Sequence, residues 1–396
     1  MRTYEHALRR RWITQVAGWV GSRAPLDPDR LLGLARRAQG LEVLTHASVH
    51  TGLRELCDSL ERDGDLTALG RFMAREYIVR LLGANLRCAS EPEPTGSLGA
   101  PLVVVGLHRS GTTRLHHLLG LDPRARFLPA WRTMRAHPPA TSPALIRQGK
   151  LDILSWRVLA PEADARHRHS AVDPEEEGVL LANTFHTAQL YETFPAPAYL
   201  RWAHTQPLTR SYAFLRERLL AFQEHLPGER WVLKYPGHLL SLDLLIETMP
   251  GAHIIHTHRD PMHAVCSYAG LIADTHAVMT DDPLRPELVE STVWRCEQSI
   301  IRSIEARRDH PALASVHDVS FEDLVQRPIE AVRTIYDRFG LEWDTEHEER
   351  MTKFLSRPHL RPARDDRPAR YGLDAPTLRR RLAPYLDRYA PFLAGA

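Results

Sequence analysis

One short apolar run constrains the fold more than any other feature of the sequence. PLVVVG (residues 101–106) leads directly into a glycine-containing loop and then into TTRLHHLLGLDP, which has helical spacing. A β-branched run without polar alternation is typical of a strand buried on both faces of a parallel sheet. Similar runs recur, each before a helical stretch, in RWVLKYP, AHIIHTHRDP and ASVHDVSFEDL. Strands that alternate with helices predict an α/β fold, a doubly wound parallel sheet flanked by helices.

The chain ahead of this sheet has a helical pattern. From about residue 27 to residue 88 apolar residues recur at three- and four-residue spacing, as in LTALGRFMAREYIVRLLGANLR. The stretch CASEPEPTGSLGAP, rich in Pro, Gly, Ser and Glu, then indicates a linker. We therefore predict a helical N-terminal region over residues 1–95 that packs as a cap on an α/β domain over residues 96–396. Near the start, WITQVAGWV is too short to span a bilayer and is predicted to form an amphipathic helix.

Composition limits the kind of partner. The 51 Lys and Arg residues nearly balance the 49 Asp and Glu residues, so neither nucleic acid nor a membrane is expected as a global partner, and any anion site must be local. The four cysteines form no CxxC pair and follow no secretory leader, which favours a reduced, cytoplasmic protein. No membrane span is expected, and the sequence leaves the oligomeric state open, a homodimer included.

The loop GLHRSGTT (residues 106–113) has the spacing of a phosphate-binding loop but lacks its lysine. The Walker pattern requires lysine at position 112, where this chain has Thr112. Backbone N–H groups, the hydroxyls of Thr112 and Thr113 and a helix N-terminus still suit an anion, and Arg109 brings a positive charge into the loop. The alternative is a strand-to-helix turn that binds no ligand.

A second motif, HRDPMHAVCS, argues for a ligand. It places Arg259 at the end of a strand, uses Asp260 and Pro261 to begin a helix, and brings Ser267 about two turns into that helix. Arg259 and Ser267 can then converge on one phosphate, which the planar guanidinium binds through two parallel hydrogen bonds.

The two motifs together resemble those of the sulfotransferase family, whose donor is 3′-phosphoadenosine 5′-phosphosulfate (PAPS). The closest likeness is to a bacterial branch with a helical N-terminal region, on the strength of VDPEEEG, PAPAYLRW, WVLKYPGHL and RYGLD. The resemblance implies a P-loop-like fold, PAPS as donor, adenosine 3′,5′-bisphosphate as product, and no metal. It also implies that the first loop binds the 5′-phosphosulfate and the second motif the 3′-phosphate, through Arg109, Ser110, Gly111, Thr112, Thr113, Arg259 and Ser267.

The chain departs from this family pattern at several positions. His108 stands where the branch tends to have proline, and Arg132 follows Trp131 where a glutamate is common, which argues against a carboxylate base there. Phe321 keeps the ring, but not the hydroxyl, of a tyrosine that often contacts adenine. Near the C-terminus, Arg370 and Tyr371 are candidates for the 3′-phosphate side, with a solvated basic helix face as the alternative.

Sulfuryl transfer needs a base for the acceptor and positive charge at the sulfuryl oxygens. The expected base is His238, which follows a strand end and a Pro-Gly turn that can lift its ring into the cleft, where ligands of such folds bind. Its alternative role is to cap the next helix. Lys234 and Arg109 are the expected charge-stabilising residues, with a structural salt bridge as the alternative for Lys234.

Other candidate residues each have a plain structural alternative. In VDPEEEG, Asp173 and Pro174 fit an N-cap and first helical position, whereas Glu176 or Glu177 could instead face the acceptor or act as base. Tyr191, Tyr199 and Trp202 are candidates for an acceptor wall or for aromatic core packing. His256, His258 and His263 are not predicted to gather as a metal site.

The sequence therefore predicts a sulfotransferase that moves the sulfuryl group of PAPS in line to a hydroxyl or amine of a small-molecule, lipid, glycan or tyrosine acceptor. A P-loop small-molecule kinase is one alternative and would need ATP and magnesium. A non-catalytic nucleotide-binding protein is the other.

Overall fold

The structure is a computed structural model, and it describes residues 24–133, 136, 143–357 and 366–393. The helix predicted at WITQVAGWV lies outside the described residues.

A five-stranded, fully parallel sheet forms the centre of the described chain, in the order β2-β3-β1-β4-β5. Its strands are β1 Leu102–Gly106, β2 Ala125–Arg126, β3 Arg230–Lys234, β4 His253–His258 and β5 His317–Ser320. The two neighbours of β1 come from later in the chain, so the sheet is doubly wound and β1 ends at the position where ligands of such folds bind. The four predicted strands are confirmed; the two-residue strand β2 was not predicted, because it is too short to leave a pattern.

Helices cover both faces of the sheet. Along β1, Val103 and Val105 contribute to one hydrophobic core and Leu102 and Val104 to another. The helices of the N-terminal half are α1 Pro28–Gln39, α2 Ser48–Asp63, α3 Ala68–Ser90, α4 Thr112–Leu119, α5 Ala130–Thr133, α6 Pro143–Leu159, α7 Pro161–Arg166, α8 Gly178–Leu181, α9 Leu190–Thr193, α10 Pro197–Thr205 and α11 Thr209–Gln223. Those of the C-terminal half are α12 Leu242–Thr248, α13 Pro261–His276, α14 Pro286–Asp309, α15 Phe321–Gln326, α16 Pro328–Arg338, α17 Thr345–Leu355, α18 Ala375–Arg381 and α19 Ala383–Tyr389.

Helices α1 to α3 pack on the α/β core through a hydrophobic cluster of their own. The cluster joins Leu53 and Leu56 of α2 and Ile78 of α3 to Phe185 and Phe194 of the α/β part. In α2, a Cβ on Gly52 would lie only 2.0 Å from the carbonyl oxygen of Phe185, so this contact requires glycine. Among the described helices, none combines the length and the apolar character that crossing a membrane requires.

Candidate active site

The glycine loop joins β1 to α4 and is held against the neighbouring strand. Ser110 is fully buried; its Oγ donates to the Leu107 carbonyl oxygen over 2.6 Å and lies 2.7 Å from Thr257 Oγ1 on β4. A Cβ on Gly106 would lie 2.4 Å from the same Thr257 oxygen, so the loop can approach β4 this closely only with glycine there. The loop is thus held against β4 directly before the N-terminus of α4, the kind of position where anions bind.

The backbone at Arg109 adopts a conformation that side chains disfavour. Its φ is +74°, and Gly111, which precedes the first residue of α4, has a φ of +96°. For a residue other than glycine such a conformation costs energy and is found most often at functional sites. Arg109 Nε reaches Ser267 Oγ of α13 over 3.4 Å, so the turn aims this guanidinium toward the second predicted motif.

The second motif folds as its sequence predicts. Asp260 caps α13 by accepting a hydrogen bond from the Met262 N–H over 2.8 Å, and Pro261 is the first residue of the helix. Arg259 donates from Nη1 to the Arg109 carbonyl oxygen over 3.0 Å. The predicted residues Arg109, Arg259 and Ser267 therefore lie together at the ends of β1 and β4.

Phe321, the first residue of α15, completes this side of the site. The Arg259 guanidinium carbon lies 4.4 Å from the centre of the Phe321 ring, which is a cation–π distance. The same ring packs against Gly111, where a Cβ would lie 3.0 Å from a ring carbon. Phe321 thus touches both motifs.

Tyr371 and Arg370 behave differently from each other. Tyr371 is buried and donates its hydroxyl hydrogen to Asp366 over 2.9 Å, and that carboxylate also accepts from Arg166 over 2.8 Å. A Cβ on Gly270 would lie 2.4 Å from the Tyr371 hydroxyl oxygen, which places the ring less than one turn beyond Ser267 along α13. Arg370 is exposed.

The three consecutive glutamates of VDPEEEG each contact a different basic side chain. Glu175 Oε2 accepts from His169 Nδ1 over 2.7 Å, Glu176 pairs with the Lys234 ammonium group, and Glu177 Oε1 lies 2.9 Å from His238 Nε2. None of the three glutamates is helical, since α8 begins only at Gly178, so the prediction of a helix starting at Pro174 is wrong. The contacts of the three carboxylates with three basic side chains outweigh the helix-start signal of Asp173 and Pro174.

His238 lies beneath the cleft rather than in it. The side chain is 0% exposed, Nδ1 lies 2.8 Å from the Tyr212 hydroxyl, and Nε2 contacts Glu177, which is also fully buried. Glu177 in turn accepts the Lys234 backbone N–H over 2.8 Å. Both ring nitrogens are therefore engaged by protein groups, and these contacts do not favour the predicted role of His238 as base. They also exclude its alternative role, because α12 begins at Leu242 without a side-chain cap.

Lys234 contacts both Glu176 and the glycine loop. Its side chain is 1% exposed, and its Nζ pairs with Glu176 and lies 3.4 Å from Thr113 Oγ1. Burial raises the pKa of Glu176 to about 7, although the nearby Lys234 charge opposes this. Lys234 thus forms the salt bridge given as its alternative and also contacts the glycine loop, while its charge-stabilising role stays a prediction.

A cavity of about 260 Å³ opens beside this centre and is mainly apolar. Its apolar wall comes from α3, α6, α8 and α13 and includes Leu81, Ala84, Ile153, Trp156, Val179, Leu271 and Ile272. Its polar groups include His108, His167, His169, Glu175, Glu176 and Glu192. The helical N-terminal region therefore supplies part of the wall through α3, and Glu176 faces the cavity as predicted for an acceptor-site residue.

Glu192, which lines the cavity, pairs with Arg295 and contacts His108. The His108 ring stacks on Tyr268 with centroids 4.0 Å apart, and its Nε2 lies 3.4 Å from Glu192 Oε1. Glu192 accepts from the buried Arg295 guanidinium over 2.6 Å and from the Tyr235 hydroxyl over 3.1 Å. Burial lowers the pKa of His108 to about 4, against the opposing effect of Glu192, so this imidazole is neutral near pH 7.

The predicted aromatic residues of the acceptor wall lie elsewhere. Tyr191 is 0% exposed and donates to the Leu288 carbonyl oxygen over 2.7 Å; Tyr199 is 1% exposed and donates to the Phe185 carbonyl oxygen over 2.8 Å. Trp202 packs at the edge of the N-terminal cluster. The alternative interpretation, core packing, is the one the structure shows, because these hydroxyls find buried carbonyl partners.

Several cavity residues were not identified from the sequence. His167, His169 and Glu192 line the cavity, and the only sequence signal for the histidines is their alternation a few residues before DPEEEG. His167, His169 and Glu175 form one of two described groups with residue types that bind metals. The other is His256, His258 and Asp318, where Arg307 already occupies both carboxylate oxygens at 2.6 and 2.8 Å; His263 is not part of it.

Comparison with known proteins gives consistent results. The model of the sulfotransferase family matches residues 101–345. Among solved structures, sulfotransferase STF9 from Mycobacterium avium has a TM-score of 0.80 at 24% identity, covering 93% of this chain and 98% of that one. Sulfotransferase STF1 from Mycobacterium tuberculosis H37Rv has a TM-score of 0.75 at 27% identity, covering 90% and 98%.

A curated relative also matches. Omega-hydroxy-beta-dihydromenaquinone-9 sulfotransferase Stf3 of Mycobacterium bovis is 24% identical over 262 residues, which is 61% of this chain. The match spans only 63% of the relative's own length.

Proposed function

Because this chain belongs to the sulfotransferase family, we propose that it acts as a sulfotransferase and transfers the sulfuryl group of PAPS to a hydroxyl of an apolar acceptor bound in the cavity. The observation that carries the proposal is the meeting of Arg109, Arg259 and Ser267 at the ends of β1 and β4. Two arginines and a hydroxyl that converge beside a helix N-terminus suit a donor with two separate phosphate positions.

In this proposal the glycine loop binds the 5′-phosphosulfate, and Arg259 with Ser267 binds the 3′-phosphate. The loop contributes the backbone of Ser110 to Thr113 and the guanidinium of Arg109. Phe321 supports this interpretation, since its ring lies against both Gly111 and Arg259, where the adenine side of the donor would approach. Tyr371 would act through Asp366 near Ser267, and Arg370 would contribute only charge.

Lys234 is the proposed charge-stabilising residue of transfer, together with Arg109. The sulfur forms a bond to the acceptor oxygen as its bond to the phosphate oxygen breaks, and adenosine 3′,5′-bisphosphate leaves. Negative charge then builds on the phosphate and sulfuryl oxygens. Lys234 Nζ lies 3.4 Å from Thr113 Oγ1. A small movement of the side chain would therefore bring the ammonium group from Glu176 to a sulfuryl group bound by the glycine loop.

The cavity supports an apolar alcohol or phenol as acceptor rather than a glycan. Its wall is apolar over most of its area, and its polar groups include Glu176 and His169. A glycan would leave many hydroxyls without hydrogen-bond partners in such a cavity. The name of the curated relative specifies an omega-hydroxylated dihydromenaquinone, which is consistent with a hydroxyl on a largely apolar body.

Calorimetric titration with adenosine 3′,5′-bisphosphate tests the donor. We expect binding by the native chain and at least about tenfold weaker binding by Arg259→Ala, since a hydrogen bond to a charged group contributes about 1.5–3 kcal/mol. Arg308→Ala is the matched control, because Arg308 is exposed and its ion pair within the described part of the chain is with its neighbour Asp309. Binding of ATP with magnesium in place of the bisphosphate would contradict the proposal and favour the kinase alternative.

A further inference from the structure

Sulfuryl transfer to a hydroxyl needs a group that takes the acceptor proton, and four candidates lie near the cavity. His238 is fully buried with both nitrogens engaged by Tyr212 and Glu177. His108 lies in the wall, but its low pKa makes it a weak base. Glu176 faces the cavity but serves as the counter-ion of the buried Lys234. The fourth candidate, His169, has none of these obstacles.

His169 is held in the geometry that a general base requires. Its Nδ1 donates to Glu175 Oε2 over 2.7 Å, and the other Glu175 oxygen accepts the backbone N–H of Glu176 over 2.9 Å. The carboxylate is therefore fixed from two sides and fixes the ring in turn. A neutral imidazole with its hydrogen on Nδ1 carries its lone pair on Nε2. His169 lines the cavity with 29% of its side chain exposed, and none of the hydrogen bonds among the described residues uses Nε2.

We propose that His169 is the catalytic base for the acceptor hydroxyl and that Glu175 is its positioning residue. The inference rests on the proposed function. As the acceptor oxygen bonds to sulfur, its proton moves to Nε2 and the imidazolium pairs with the Glu175 carboxylate. The bond from sulfur to the bridging phosphate oxygen breaks, and the phosphate leaves with that electron pair. Atoms and charge balance without a further reactant.

The surroundings of His169 favour this proton transfer. Burial lowers its pKa, but Glu175, with a smaller contribution from Glu176, outweighs burial and raises it above the ordinary value. Lys234 opposes this rise in pKa. His167 stacks on His169 with centroids 4.5 Å apart, and burial holds the pKa of His167 far below its usual range. His167 therefore stays neutral and does not compete for the proton.

An acceptor-independent measurement tests the tautomer first. Nitrogen NMR on histidine-labelled protein, with the His169 signals assigned from H169Q, should show Nδ1 protonated and Nε2 unprotonated at pH 8. In E175Q this preference should weaken. The opposite tautomer in the native chain, with hydrogen on Nε2, would overturn the proposal, because that nitrogen could not accept a proton.

Chemical rescue tests the catalytic role. With radiolabelled PAPS and with 2-naphthol and 1-decanol as probe acceptors, H169A should lower kcat by about 10²–10⁴-fold, the usual contribution of a general base. Added imidazole should restore part of the rate, and more of it as pH rises through the imidazole pKa. H225A is the control, since His225 is exposed and remote from the cavity.

Three outcomes distinguish His169 as the base, Glu176 as the base, and failure of the proposed function. The assignment of His169 as the base is supported if H169A still binds the bisphosphate, loses sulfuryl transfer and regains part of it with added imidazole. Transfer retained in H169A but lost in E176Q would overturn it in favour of Glu176. Absence of bisphosphate binding in the native chain would count against the proposed function itself, independently of the tautomer result.

Discussion

The Arg259 guanidinium donates a hydrogen bond to the main-chain carbonyl oxygen of Arg109, with 3.0 Å between donor and acceptor. The two arginines come from loops that follow different strands, and both follow parallel strands that are neighbours in the sheet. The contact supports a backbone whose φ of +74° is unfavourable for arginine. The second motif thus contacts the strained backbone of the first at the proposed donor site.

This relationship predicts a conflict between stability and activity at position 109. Replacing Arg109 with glycine should relieve the strain, whereas alanine should keep it, so Arg109→Gly should be the more stable variant by about 1 kcal/mol. Both variants should lose sulfuryl transfer, because neither supplies the guanidinium. Urea unfolding of the two proteins measures the difference. Equal stability of the two variants would show that the positive φ costs nothing here.

The buried His238 and Glu177 pair gives a second prediction. In His238→Ala the Glu177 carboxylate loses its partner in a fully buried environment, so the free energy of unfolding should fall by about 3–5 kcal/mol. Transfer by the folded variant should fall by less than about tenfold, which is less than the loss expected for a general base. Transfer rates measured well below the unfolding temperature check this. A loss of about a hundredfold or more in a folded variant would restore His238 as the base.

The charge of Glu192 should make the free energy of unfolding depend on pH in the acid range. Burial alone would raise its pKa, but Arg295 and His108 outweigh burial and hold it below the ordinary value. The carboxylate pKa is lower in the folded than in the unfolded chain. This contribution to stability is therefore complete above about pH 4.5 and is lost as the pH falls toward the folded pKa.

The variant Glu192→Gln tests this linkage. At pH 7 it should be less stable by about 3–5 kcal/mol, because Arg295 would be left buried without its carboxylate. The gap between native and variant protein should narrow as the pH falls below about 4.5. Denaturant titrations over a pH series measure it, with the exposed Glu346→Gln as control. A gap that stayed constant with pH would mean that the Glu192 charge does not stabilise the fold.

Local sequence signals identified the residues that meet on the proposed donor side of the site, but not those on the proposed acceptor side. The first strand runs directly into the glycine loop, and Arg259 is only eight residues from Ser267. The relative positions within each motif therefore follow from the local secondary structure. His169 and Glu175 also lie near each other in sequence, yet what makes them notable is the cavity, whose walls come from helices far apart in the chain.

Two of the sequence predictions concern residues that long-range contacts hold in place. His238 follows a strand end, as a cleft residue would, but Tyr212 and Glu177 bury it through contacts across 26 and 61 residues of sequence. Asp173 and Pro174 carry a helix-start signal, yet Glu175 to Glu177 are drawn to three bases. Long-range pairing of buried polar groups decides both cases, and residue order alone does not reveal it.

The apolar cavity provides the last prediction, which separates acceptor binding from donor binding. Leu271 lies on α13 and lines the cavity, one turn beyond Ser267. A tryptophan there would occupy part of the space of about 260 Å³ that the acceptor is proposed to use. Leu271→Trp should therefore raise the KM for an apolar probe such as 2-naphthol by about tenfold or more, because even one lost or misfitting group in an apolar pocket changes binding by about 1–3 kcal/mol.

The affinity of Leu271→Trp for adenosine 3′,5′-bisphosphate should match that of the native chain, since that ligand would bind on the side of Arg259 and Phe321. Ile301→Trp is the matched control, because Ile301 is an exposed aliphatic residue on α14. Unchanged KM with a filled cavity would mean that the acceptor binds elsewhere on the protein. Weakened bisphosphate binding would mean instead that α13 couples the two proposed sites, because a substitution one turn from Ser267 would then disturb the binding of both donor and acceptor.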